Sequence, residues 1–147
     1  MSASRRFPIR IAGGILAGAL AVATALHATM AAPSDLDLSR TRVTAGGGYR
    51  MSFTPEGDSI RVGRMHSWRL HVETVDGAPV DSAAIAVDGG MPQHGHGLPT
   101  QPRVTQALGG GDYLVSGMKF NMGGWWVVTF RMQAAAAADS VTFNLKL

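Results

Sequence analysis

Trp125-Trp126-Val127-Val128-Thr129-Phe130-Arg131-Met132 decides how the chain folds. Trp126, Val128, Phe130 and Met132 alternate with Trp125, Val127, Thr129 and Arg131, and an extended strand turns that period of two into one large apolar face and one mixed face. The same alternation recurs on both sides. Upstream, Met65 to Val75 sets Trp68, Leu70 and Val72 against Arg69, His71 and Glu73, and Tyr49, Met51 and Phe53 alternate with Arg50, Ser52 and Thr54. Downstream, Val141, Phe143, Leu145 and Leu147 point inward. Between these, Ala83 to Val87, Arg103 to Leu108 and Tyr113 to Met118 read as further strands, the last with Tyr113, Val115 and Gly117 on one face. Met51, Met65, Met118 and Met132 read as packing residues.

The strands are punctuated by residues that favour turns. Pro55-Glu56-Gly57-Asp58, Asp76-Gly77-Ala78-Pro79, Asp88-Gly89-Gly90 and Gly109-Gly110-Gly111-Asp112 supply breaks, and the small residues Ala134 to Ala138 form a connection. About seven strands with no long amphipathic helix in the exported part predict an all-β fold, an immunoglobulin-like antiparallel β-sandwich. A small barrel is the alternative.

With 147 residues the chain has room for one compact domain. Residues 1–32 read as an export address, in which Arg5, Arg6 and Arg10 precede the apolar run Ile11 to Leu26. Cleavage is expected at no fixed position, Ala23-Thr24-Ala25 fitting a small-x-small site and Thr29-Met30-Ala31 fitting it less well, and an uncleaved membrane anchor is the competing reading. Residues 33–48, ending in Gly46-Gly47-Gly48, read as a flexible lead-in, and residues 49–147 as the sandwich domain. Either way the domain faces outside the cytoplasm.

The formal net charge of +3 loses its meaning once the first ten residues are set aside, because ten Lys/Arg then face ten Asp/Glu. A nucleic-acid-binding surface is therefore not expected. The chain has no cysteine, which excludes disulfides, thiolate catalysis and thiolate metal ligation. No nucleophile elbow, phosphate loop or dinucleotide fingerprint appears, and an enzyme is not expected.

The chemistry concentrates in Met91-Pro92-Gln93-His94-Gly95-His96-Gly97. Two imidazoles and a thioether within six residues offer nitrogen and sulfur donors to a soft or borderline ion. In an extended backbone His94 and His96 would project from the same side, about 7 Å apart at Cα. Methionine is a poor zinc ligand, so Met with His favours Cu(I), and Cu(II) fits if imidazole or oxygen donors dominate. The bland alternative is that both histidines bond loop carbonyls or are merely solvated. Met122, in the glycine-rich turn before Trp125, is the candidate from elsewhere in the chain, with core filling as its alternative. His66 and His71 read as structural or surface residues, and His27 belongs to the leader. Trp125 and Trp126 point to opposite faces, so one of them is available as an outward platform.

Taken in order, Asp76-Gly77-Ala78-Pro79-Val80, Met91-Pro92-Gln93-His94-Gly95-His96-Gly97, Gly111-Asp112-Tyr113 and Phe120-Asn121-Met122-Gly123-Gly124-Trp125 resemble FixH-like and YtkA-like extracytoplasmic domains. The resemblance spans roughly Met65 to Met132. It implies an immunoglobulin-like sandwich outside the cytoplasm, of a kind often associated with copper handling or oxidase assembly, with Met91, His94, His96 and Met122 at the motif positions. Gly123 departs from the proline expected there.

The expectation is an exported, periplasmic copper-binding protein, a Cu(I) carrier or chaperone using Met91, His94, His96 and Met122, whose partner is a periplasmic or membrane cuproprotein or a copper transporter. The alternative is a metal-free interaction module of the same fold that assists a membrane oxidase or transporter complex.

Overall fold

The computed structural model describes residues 32–57 and 59–147. The signal or anchor segment, all but Ala32, lies outside the described residues. Nine strands follow in order: β1 (Thr41–Val43), β2 (Tyr49–Pro55), β3 (Met65–Thr74), β4 (Ala84–Met91), β5 (His96–Gly97), β6 (Arg103–Gly109), β7 (Asp112–Lys119), β8 (Trp125–Gln133) and β9 (Ala138–Lys146). Seven are long, as the alternation predicts, and two are short additions. Among the described residues no helix is long and apolar enough to cross a membrane.

Every pairing is antiparallel, in the order β1-β2-β3-β7-β6-β4-β8-β9 with β5 on β4. β6 meets β4 through a single pair, Ala86 and Arg103, so the sheet folds over there into two layers. Lettering the seven long strands A to G gives A-B-E-D in one layer and C-F-G in the other, the constant-type immunoglobulin topology. The far edges also approach each other. Ala45 N–H donates to Ser140 O at 2.8 Å, and Arg42 Nη1 to Thr142 O at 2.6 Å, which gives the sandwich a barrel-like closure.

The inward faces are those the alternation sets apart: Met51, Phe53, Trp68, Leu70, Val72, Tyr113 and Val115 from one layer, Trp126, Val128, Phe130, Met132, Val141, Phe143 and Leu145 from the other. Where a disulfide would otherwise staple the layers, aromatic rings meet. Phe53 stacks on Trp68 with centroids 4.4 Å apart and meets Phe143 edge-on at 4.9 Å. Tyr113 Oη donates to Val80 O at 2.6 Å and accepts from Ala83 N–H at 3.1 Å, pinning the connection into β4.

Four expectations need correction. Asp88-Gly89-Gly90 is not a break, since β4 runs through it to Met91. The glycines are there for closeness: a Cβ on Gly89 would lie 2.5 Å from Val127 O, and one on Gly90 would run into His96 O. Gly117 does not share a regular face with Val115. Its φ of +89° accompanies a shift in register against β3, and the extra residue turns Met118 into the core. Met65, read as packing, is 62% exposed. The lead-in, read as flexible up to Gly48, contributes β1 and the buried Thr44 to the sheet.

Candidate metal centre

The end of the sandwich where β4 finishes and β8 begins carries the donors. Met91 and His96 are paired across β4 and β5, and Pro92-Gln93-His94-Gly95 make the four-residue loop between them. Proline suits the first central position of such a turn, and Gly95, at φ +66°, supplies the left-handed residue that ends it. His94 N–H and Gly95 N–H both donate to Met91 O at 3.0 Å.

The convergence of the histidines therefore has a different origin from an extended His-Gly-His. The chain turns at Gly95, and the two exposed rings stack with centroids 5.8 Å apart and 26° between planes. Imidazole nitrogens sharing one ion at about 2 Å each are at most about 4 Å apart, within reach of these rings by side-chain rotation. His96 Nδ1 lies 3.2 Å from Gly97 O, so a carbonyl is at hand to fix the tautomer and leave Nε2 outward.

Met91 pairs with His96. Directly opposed residues of an antiparallel ladder project to the same side, so its side chain shares a face with that of His96. It is 1% exposed, and its methyl lies against Gly124, where an added Cβ would be 2.8 Å away. The thioether thus belongs to the core.

Met122 lies at the same end, 39% exposed, in the loop between β7 and β8. The connection runs through Trp126, whose indole N–H donates to Met122 O at 3.0 Å while its ring meets His96 edge-on at 5.8 Å. Trp126 is fully buried and also packs edge-on against Phe120 at 5.2 Å. Both loops therefore rest on one indole. The sequence marks Trp126 as a core residue, but its bond to a loop carbonyl carries no periodic signal. Gly124 is likewise missed, although its place before two tryptophans hints at a close approach.

The other histidines are engaged elsewhere. His66 Nε2 lies 2.9 Å from Arg61 O, and His71 Nδ1 lies 2.7 Å from Asp112 Oδ1 on the wet face of β3. Beside His71, the Arg50 guanidinium 2.8 Å from Glu73 holds that carboxyl below its usual range against the opposing effect of burial. Among the described residues no three His, Cys, Asp or Glu side chains cluster to hold a metal ion. The arrangement at the β4–β5 turn is a pair of exposed imidazoles, with the Met91 side chain buried on the His96 side of the hairpin.

The family model for YtkA-like domains matches residues 45–131, more than half of the chain. The chain belongs to the YtkA-like family. YtkA-like domains are extracytoplasmic, in keeping with the basic and then apolar N-terminus. No curated protein matches this YtkA-like chain. Among solved structures the C-terminal domain of ZirS aligns over 100% of this chain and 87% of its own, at 14% identity and a TM-score of 0.38, too distant to bear on the fold described above.

Proposed function

We propose that this YtkA-like domain is an exported copper carrier of the periplasm that holds Cu(I) on His94 and His96 and passes it to a cuproprotein or transporter. The observation that carries the reading is the stacked pair of exposed imidazoles at a turn built by Pro92 and Gly95. Nitrogen donors at His94 and His96 and thioethers at Met91 and Met122 suit a soft monovalent ion, and exposed imidazoles suit transfer, because an incoming ligand can bind before the outgoing ones leave. Cu(II) fits the imidazoles alone.

Titration of the domain with Cu(I) against a competing chelator tests this. The His94→Ala/His96→Ala double variant is expected to lose competitive binding. Unchanged affinity in that variant overturns the proposal.

A second reading, a metal-free module that docks on a membrane oxidase or transporter, is favoured by the apolar groups exposed at this end, Val62 at 44%, Met65 at 62% and Met122 at 39%. Co-purification with a partner that survives both chelation and the double variant selects it.

A further inference from the structure

The seam between the first and last strands is stitched for only part of its length. Gly124 N–H donates to Leu147 O at 2.8 Å and Leu147 N–H to Gly124 O at 3.0 Å, so the two form a hydrogen-bonded pair that extends the β8–β9 ladder. Such pairs alternate with unbonded ones along an antiparallel ladder. β9 therefore turns the N–H and C=O groups of Val141, Phe143 and Leu145 toward β8, and those of Ser140, Thr142, Asn144 and Lys146 away from it. Ser140 O is taken by Ala45 N–H and Thr142 O by the Arg42 guanidinium. The backbone N–H and C=O groups of Asn144 and Lys146 have no hydrogen-bond partner among the described residues. A strand edge with free backbone groups is a template for another strand unless something blunts it. β6 is blunted, its register breaking twice against β7, whereas β9 runs in unbroken register from Ala138 to Lys146.

A cleft of about 350 Å³ lies along this open length of β9. Leu38, Ile60, Leu145 and Leu147 give it apolar walls, and Arg40 and Lys146 give it two cations. Neither cation makes an ion pair among the described residues. Asp37 is close by, since Asn144 Nδ2 donates to its carbonyl at 3.1 Å, but its carboxylate faces Arg42 at 3.4 Å.

We propose that an extended acidic segment of a partner protein docks here, adding an antiparallel strand to β9 at Asn144 and Lys146. Free backbone groups call for an extended chain, and the paired cations call for carboxylates. Side chains opposite Asn144 and Lys146 would share their outward face, where a carboxylate meets Lys146, and those between would enter the cleft against Ile60 and Leu145. Pairing with a second copy is disfavoured, because it would set Arg40 and Lys146 of one molecule against those of the other. Strand addition would continue the closure that Ala45 and Arg42 begin.

Amide hydrogen exchange of the exported protein, with a capped peptide of alternating valine and glutamate as the probe, tests the idea. The Asn144 and Lys146 amides are expected to exchange readily in the free protein and to slow with peptide. N-methylation of the glutamates removes the N–H groups that would face β9 and should abolish binding, while N-methylation of the valines should leave it. Lys146→Glu, at an exposed position, should weaken the peptide by about fivefold and favour a valine-lysine peptide instead. Unchanged exchange at Asn144 and Lys146, binding by the glutamate-methylated peptide, or a charge preference that does not reverse overturns the proposal. Protection that rises with protein concentration alone assigns the edge to a second copy and overturns it too. Docking here requires no metal, so peptide binding should persist in His94→Ala/His96→Ala, and the copper reading stands or falls separately.

Discussion

Gly124 holds φ +125°, a region L side chains resist, and its Cα faces the Met91 methyl, which an added Cβ would push aside. Gly124→Ala is expected to cost about 1 to 3 kcal/mol through overpacking and backbone strain, measured by chemical denaturation, and to displace the Met91 ε-methyl resonance. An unshifted methyl signal would mean that Met91 is not seated on this glycine. At this scale the sequence was informative about chemistry and silent about depth. Met91, His94, His96 and Met122 are recognisable as soft and borderline donors from their side chains alone. That Met91 is buried while Met122 is exposed depends on which strand end each occupies, and neither residue type encodes that.

The β4–β5 hairpin is the smallest element on which the copper reading depends. A Cβ on Gly90 would meet His96 O and lie 3.1 Å from the Gly97 Cα, so Gly90→Ala is expected to unpair β5 and let the two imidazoles separate. The variant should bind Cu(I) more weakly while its far-UV circular dichroism stays that of the parent. Parental affinity would show that the hairpin geometry is dispensable. The long strands are legible because Trp68, Leu70 and Val72, or Trp126, Val128 and Phe130, place their bulk at every second residue. Glycine is harder to read, since it serves both where a chain bends and where two backbones crowd together. Gly89 and Gly90 do the second in a context that suggests the first, and Gly117 marks a bulge that reverses the parity of Met118. β1 is only three residues long, too short for any period to declare it.

For the whole molecule, the joint between the first and last strands is an ionisable one. Burial pushes the Asp139 carboxyl upward, but hydrogen bonds from Thr44 Oγ1 at 2.6 Å and from the Gly46 and Ser140 N–H groups at 2.8 Å outweigh it, and the group ends below its usual range. A carboxyl depressed by folding adds stability above its unfolded pKa of about 4, and that stability is lost as pH falls through the folded value. Thermal unfolding from pH 7 down to pH 3 is therefore expected to show an acid loss that is smaller in Asp139→Asn. Glu73 contributes with the same sign, so part of the loss remains in the variant. An identical acid profile would show that the joint does not titrate.

That joint also orders events in time. β9 is the last strand of the chain, yet it pairs along its whole length with β8 and meets the segment that follows β1. A chain delivered from its N-terminus, whether from a ribosome or through a channel, lacks the acceptors of Arg42 and Ala45 and one edge of its second layer until residues 138–146 emerge. Up to that moment Phe130 lacks Phe143, the ring it meets edge-on at 6.0 Å, and β8 is an open edge. Only the last strand closes the two layers on each other at this edge.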